Sequence, residues 1–524
     1  MADGADFAVQ DEPPAPRKRK KPRRADRASE IVSLFKVWRS SDGNGYATIV
    51  KDGRPEHLRI GSPGWDRRVG ALSYDIFGTP LSPQGLALIT NLAEAMAFSS
   101  GDRRRVWQRV ALHNGEIWIN LGDGRAVRIT ASGWEIVEAF EQPVFLLAAD
   151  AATLPAPEAD VAKPGDVARF LNISPDSDEV RLIWAWILCS LRPFEEGGSY
   201  VHLTVAGEQG SGKTFLARVV QGIIDPSDAS GRALPREERE LFISALHRHV
   251  QSYDNLSGLS DVFSDAFCRI LTGATYLARA IYTNSEETIF RALRPVLLTG
   301  IPSTIAGRPD FADRGFVIEL PPLASRRAER ELRADVERAR PGLLGLVCDG
   351  LSAGLRNIDK TFVPDPPRMV DAATWAEACA PGIGYQPGEI TAAWRRNRAM
   401  ADRTSLGADE VAQAVLRLVA AIEKNEIFQP RLDDGSDDPD ELILPQGRNS
   451  GVLWKGTPSR LCERLSTLVS DRTVHSQFWP KKAAVLTNRL RRIAPGLRAT
   501  EGIDVANGKG GGESHRWWAI RRVG

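Results

Sequence analysis

Between residues 29 and 145, apolar and polar residues alternate in short runs such as "YATIVKDG", "HLRIG" and "EIWINLGDGRAVRIT". A period of two marks half-buried strands, and the Asp-Gly and Asn-Gly pairs between runs predict hairpin turns. One stretch, "SPQGLALITNLAEAMAF", instead carries a helical period behind a serine start. The segment predicts a small α+β module with nothing catalytic in it. Residues 146–165, rich in Ala, Pro and acids, predict a linker. "DEVRLIWAWILCSLRPF" then reads as a buried helix, and strand and helix patterns alternate to about residue 360. That alternation predicts a parallel sheet with crossover helices over 166–360. A proline-punctuated helical region follows at 361–428, and 429–448 holds the polar link "QPRLDDGSDDPD". In the last block, 449–524, "TPSRLCERLSTLV" and "KKAAVLTNRLRRIAPGL" read as helices and "IDV" and "RWWAIRR" as strands. Two helices and then a two-stranded ribbon is the order of a winged helix.

Composition narrows this picture only slightly. At 524 residues two to four domains are expected, and the net charge of +1 says nothing about a polyanionic partner. The distribution of charge says more. Residues 1–28 are poor in apolar side chains and end in "PRKRKKPRR", which predicts a disordered basic tail, either merely solvated or in salt-sensitive contact with phosphates. Cys189, Cys268, Cys348, Cys379 and Cys462 lack paired spacing and read as small buried residues of a reducing compartment. No apolar run is long enough to span a bilayer and no signal peptide opens the chain, so a cytoplasmic location is expected.

The chemistry concentrates in "VHLTVAGEQGSGKT". An apolar strand runs into Gly207, Glu208, Gln209, Gly210, Ser211, Gly212, Lys213 and Thr214, and an amphipathic helix follows. Glycines let backbone N–H groups close around phosphates, and the helix start adds partial positive charge. Lys213 would reach the outer phosphates of ATP and Thr214 would hold Mg2+. A second metal acid is needed, and "HRHVQSYDNLS" offers Asp254 with Asn255 beside it. His249 and Gln251 make that strand unusually polar for a sheet interior, and Asp254 could instead be a helix cap before "LSGLSDVF". Asn255 can orient water but cannot act as a base, and Glu286 or Glu287 could assist. "RPVLLTGIPS" ends a further strand at Thr299, whose hydroxyl could report on a γ-phosphate. "RPDFADRGFVIEL" then places Arg308 and Arg314 in a loop. Arg314 is either locally paired with Asp313 or an arginine finger for a neighbouring subunit.

This order of motifs resembles the AAA+-type superfamily 3 helicases, above all the helicase half of phage and plasmid primase–helicases and related bacterial ATP-binding proteins. The resemblance is specific over about 165–325 and looser towards both ends. It implies an α/β P-loop NTPase core with AAA+-like character. Asp254 and Asn255 would be the second Walker motif, Leu271–Phe290 a pore hairpin with Arg279 on single-stranded DNA, and Arg314 the finger. The sensor residue, commonly Asn in that family, is Thr299 here. A homo-oligomer, in the limit a hexameric ring, is implied. The front module shows no metal-binding carboxylate cluster, so any priming would fall to a separate primase.

The C-terminal block adds a local basic surface from Lys481, Lys482, Arg489, Arg491, Arg492, Arg516, Arg521 and Arg522. It is either a duplex-binding face or a solvated helix face with Trp517 and Trp518 partly in the core. Two functions are therefore expected in competition. One is an ATP-driven DNA helicase or translocase replicating a mobile or phage-like element. The other is an ATP-dependent DNA-binding switch or assembly factor without unwinding activity. A small-molecule kinase is disfavoured, because no acceptor pocket or lid follows the glycine-rich loop.

Overall fold

The computed structural model describes residues 24–51, 53–138, 140–194, 198–279, 287–300, 309–323, 327–424, 426–427, 440–443, 451–476, 479–509 and 516–523. The chain divides into two units, residues 1–106 with 139–144 and residues 107–138 with 145–524. Residues 1–23 of the expected basic tail, and Glu286 and Arg308, lie outside the described residues. Residues 24–28 are not a disordered tail: they begin the helix Arg24–Val32, with Ala28 buried beside Ile31 and Val32.

In the first unit, antiparallel strands Lys36–Ser40, Gly45–Lys51 and Arg54–Arg59 form a sheet extended by Arg103–Arg104. Helices Pro63–Phe77 and Pro83–Ser99 both begin Ser-Pro, and Ser62 and Ser82 accept the N–H groups of Trp65 and Gly85 at 3.2 Å. A serine at the cap and proline in the first turn satisfy or remove donors that the helix start would leave orphaned. Trp65, Val69, Ile89 and Ala93 of these helices pack with Ala47 and Leu58 of the sheet.

The alternating runs from 110 to 137 fold into hairpins as their period predicts, but they belong to the second unit. Asn114 and Gly115 both take positive φ (54° and 77°) in the first turn, the backbone that this residue pair permits. Ile117, Ile119, Val127 and Ile129 share one buried cluster with Val180, Trp184 and Leu188 of the helix Asp178–Ser190. The alternation identifies strands; it does not say which core their buried face will join.

The centre of the second unit is a four-stranded parallel sheet. Its order is Gln251–Leu256, Val296–Gly300, His202–Gly207, Gly315–Leu320. His202–Gly207 is buried along its whole length, as an inner parallel strand should be. Gln251–Leu256 is the edge, which explains its polarity. His249 meets the Ser190 carbonyl at 2.7 Å, and Gln251 accepts from Ser244 and Tyr253 at 3.1 and 3.2 Å. Each polar group at this edge has a partner, so burial there is tolerated.

At the opposite edge, Asn397 of the helix Glu389–Ala408 meets Val317 twice. Its amide oxygen accepts the Val317 N–H at 3.1 Å and its amide nitrogen donates to the Val317 carbonyl at 2.7 Å. The stretch read as a linker is packed: Leu154 is buried, and the Glu158 N–H donates to the Pro341 carbonyl at 3.0 Å. Gly345 in the helix Glu329–Asn357 makes this possible, since a Cβ there would lie 1.9 Å from the Glu158 carbonyl oxygen.

The C-terminal core holds the predicted helices, at Pro458–Ser466 and Ala483–Glu501, and the predicted ribbon, Ile503–Lys509 with Arg516–Arg522. Three further elements join it. The helix Glu410–Glu423 contributes Val411, Val415, Leu418 and Ile422 to the same cluster, although the pattern places it in the preceding helical region. Strands Glu441–Ile443 and Val452–Gly456 complete an antiparallel sheet in which Val452–Gly456 neighbours Arg516–Arg522. Glu441, buried in this core, accepts two bonds from Arg464 (2.8 and 2.7 Å) and one from the Trp454 indole (2.6 Å). Among the described residues no helix is long and apolar enough to cross a membrane.

Candidate functional site

The strand His202–Gly207 delivers the chain into a tight turn, and the helix Lys213–Ile224 leaves it. Gly207, Gly210 and Gly212 have φ of 148°, 82° and 94°. At Gly207 a Cβ would come within 2.8 Å of both the Leu320 carbonyl oxygen and the Ser211 hydroxyl, so only glycine fits. Glu208, Gln209 and Gly210 are exposed, whereas Ser211 is buried with a hydroxyl that has no partner. The Lys213 ammonium folds back over the turn and donates to the carbonyls of Gly207 (3.0 Å) and Glu208 (2.6 Å). A glycine ring around a cation, at the positive end of a helix, can accept phosphate oxygens.

Thr214 follows in the first helical turn, and its hydroxyl donates to Asp254 at 3.0 Å. Two residues forty positions apart thus converge at one point. Both present hard oxygen donors, which suit Mg2+. Gly231 lies against the far side of Asp254, where a Cβ would stand 3.3 Å from the Asp254 Cβ. The alternative of Asp254 as a helix cap is not what the chain adopts. The helix Asp261–Thr272 is capped by Ser260, which accepts the Phe263 N–H at 3.4 Å.

Thr299 sits on the strand between Asp254 and the glycine-rich turn. Its hydroxyl donates to the Asp254 oxygen that accepts from Thr214, and accepts the Asn255 N–H at 2.9 Å. The strand register explains this. Tyr253 pairs with Leu298 and Leu256 with Gly300, so Asp254 and Asn255 together face Thr299 alone. This is a β-bulge, and Asn255 takes the left-handed conformation within it (φ 58°). Asparagine tolerates that backbone better than most residues, which accounts for its identity independently of water chemistry. The sequence carries no signal for the bulge.

Arg314 precedes the strand Gly315–Leu320, whose first residue pairs with His202 and whose last pairs with Gly207. It therefore stands at the opposite end of the sheet from its own glycine-rich turn, about 16 Å away at roughly 3.3 Å per residue. The expected ion pair with Asp313 does not form. Arg314 meets Asp310 loosely, at 3.5 Å, while Asp313 faces Arg398 at 2.5 Å. Burial pushes the Asp313 carboxyl above its usual range, against the pull of Arg398 and Arg368. The Arg314 Nε is buried without a partner.

Arg279 ends the first strand of a hairpin in which it pairs across to Glu287. Of the basic C-terminal residues, Arg489 donates to Asp409 at 2.9 Å and Lys481 to the Val474 carbonyl, which ties both into the fold. Lys482, Arg491 and Arg492 are exposed on or beside the helix Ala483–Glu501.

Residues 166–386 match the family described as actinomycete integrative conjugative element replication protein, and residues 441–524 match the AICE RepA C-terminal domain. Over these stretches the chain matches the replication protein family of an actinomycete integrative conjugative element. Among solved structures, SCCmec type IV Cch, an active helicase, is similar over 93% of each chain, at 12% identity and a TM-score of 0.47. The apo C-terminal region of NrS-1 is similar over 95% of this chain and 98% of its own, at 12% identity and a TM-score of 0.41. No curated protein is similar in sequence.

Proposed function

We propose that this chain is an ATP-driven DNA translocase or helicase that acts in replication of an integrative conjugative element. One observation carries the reading: Lys213 and Thr214, after a turn whose Gly207 admits no side chain, converge with Asp254 at the same end of two parallel strands that flank Val296–Gly300. Lys213 would hold the outer phosphates of ATP, and Thr214 and Asp254 would hold Mg2+. When bound, ATP–Mg2+ supplies the phosphoanhydride whose hydrolysis drives motion. Asn255 would orient water, and Thr299 keeps Asp254 aimed. Arg314 cannot serve its own site from the far end of the sheet, which supports a finger acting on a neighbouring protomer and hence a homo-oligomeric, ring-like assembly.

The C-terminal segment reads as a winged helix on duplex DNA, with Lys482, Arg491 and Arg492 on its long helix. Support comes from the order helix, strand, helix, helix, ribbon that begins at Glu410–Glu423. Arg279 on its hairpin is the proposed contact for single-stranded DNA, and priming would rest with another protein. Strand displacement on a forked duplex tests the motor. Lys213→Ala is expected to abolish both ATPase and displacement, and Arg279→Ala displacement alone. An ATPase that single-stranded DNA leaves unchanged at low salt would refute it.

A second reading, a nucleotide-dependent DNA-binding switch, is favoured by Asn255. The left-handed residue beside Asp254 supplies no carboxylate to activate water. ATP-dependent DNA binding without any strand displacement by the wild-type chain would select it.

A further inference from the structure

One face of the C-terminal sheet carries a half-buried tryptophan with a lysine over its ring. Cross-strand pairs put Lys455 beside Ala519 and Ala519 beside Ala506, and in the next row toward the ribbon tip Trp517 lies opposite Gly508. Side chains of directly paired residues point to one face, so Trp517 shares its face with Lys455 and Arg521, away from buried Trp518 and Ile520. Trp517 is only half-buried. Its ring lies so close over Gly508 that a Cβ there would come within 2.4 Å of it. The ammonium of Lys455 stands 4.8 Å from the ring centroid. Small residues surround the indole, a backbone strand supports it, and the Lys455 ammonium stands over it.

We propose that Trp517 is a stacking platform for an unpaired base of single-stranded nucleic acid, with Lys455 taking the adjoining phosphate. In the free protein the Lys455 ammonium occupies the position over the ring, and it can move to a phosphate when a base arrives. The chemistry favours this occupant. A flat aromatic surface with an ammonium beside it matches a base and its phosphodiester, whereas in a duplex the base faces are taken by their neighbours. The inference rests on the reading that the C-terminal segment handles DNA, but names a different face from the long basic helix.

Fluorescence anisotropy with the full chain at low salt tests it. Three probes of one sequence are needed: a single strand, the same strand with consecutive abasic sites, and its duplex. Trp517→Ala should weaken single-strand binding about tenfold, leave the duplex unchanged, and cause no further loss on the abasic strand. Trp517→Phe should keep most of the single-strand affinity. Equal losses on single strand and duplex, or no loss on either, would overturn the platform. Absence of binding by the wild-type chain to all three probes would instead remove the DNA-handling reading beneath it. Unchanged thermal melting of Trp517→Phe separates stacking from folding.

Discussion

Thr299 donates its hydroxyl proton to the Asp254 oxygen that also accepts the hydroxyl of Thr214, and its own oxygen accepts the Asn255 N–H. One small side chain thereby fills the gap that the bulge opens in the sheet and holds a carboxylate at the site. A hydroxyl so engaged acts first on the protein's own acid.

Replacement of Thr299 by Val should therefore leave Asn255 N–H without its acceptor and Asp254 without one donor. A loss of about 1.5–3 kcal/mol in holding the carboxylate is expected. It should appear as a raised Mg2+ requirement for binding of a fluorescent ATP analogue, while Thr299→Ser stays close to wild type. An unaltered metal requirement in the valine variant would contradict the role.

Asn255 owes its identity to its backbone. Asn255→Gly should leave the melting temperature nearly unchanged, whereas Asn255→Ile should cost about 1–2 kcal/mol because a β-branched residue resists positive φ. Asn255→Glu should not raise ATP turnover, since a side chain leaving a bulge is not aimed as one leaving a regular strand. Faster turnover in that variant would show otherwise.

Gly207→Ala should destabilise by about 1–3 kcal/mol, because its Cβ would press on the Leu320 carbonyl and Ser211 at 2.8 Å. Denaturant unfolding of the ligand-free chain measures this without reference to ATP.

Arg314 and Lys213, at opposite ends of one sheet, should complement in mixtures. Lys213→Ala and Arg314→Ala are each expected to lack ATPase, and mixing them should restore a fraction of it through sites built from one intact partner of each kind. Steady absence of activity in all mixing ratios would exclude the shared site.

Acid should weaken the second unit before its carboxylates titrate. Burial lowers His249 to about 4 and His202 to about 3, from an unfolded value of 6.5. Below 6.5 the unfolded chain binds protons that the folded one refuses, so stability is full above about 6.5 and falls towards pH 4. Each ring contributes a few kcal/mol at most over that window, on the order of 1.4 per pH unit. Urea melts at pH 7.5, 6.0 and 5.0 should show it, and His249→Gln should flatten the slope.

The glycine-rich turn was legible because its pattern is local: eight consecutive residues contain the bend, the cation and the Thr214 hydroxyl. Asp254 was legible by pattern, and its polar strand became intelligible only at the sheet edge, where Ser190, Ser244 and Arg248 satisfy it. Contacts remote in sequence were not legible. Nothing in "YDN" says that the strand bulges there, and nothing in the linker composition says that Gly345 admits Glu158. The helix Glu410–Glu423 reads as part of the preceding region because its core partners begin beyond an intervening polar stretch. Arg489 reads as a surface cation in the sequence, and only the fold brings Asp409 beside it.

The amide of Asn397 occupies the outward-facing hydrogen-bonding groups of Val317 at the middle of the sheet's last strand. No further strand can be stitched on at that point, so protomers cannot fuse there into a continuous sheet. If copies of this chain do meet along that flank, they meet through side chains, and such a seam can slip and re-form where a shared ladder would lock.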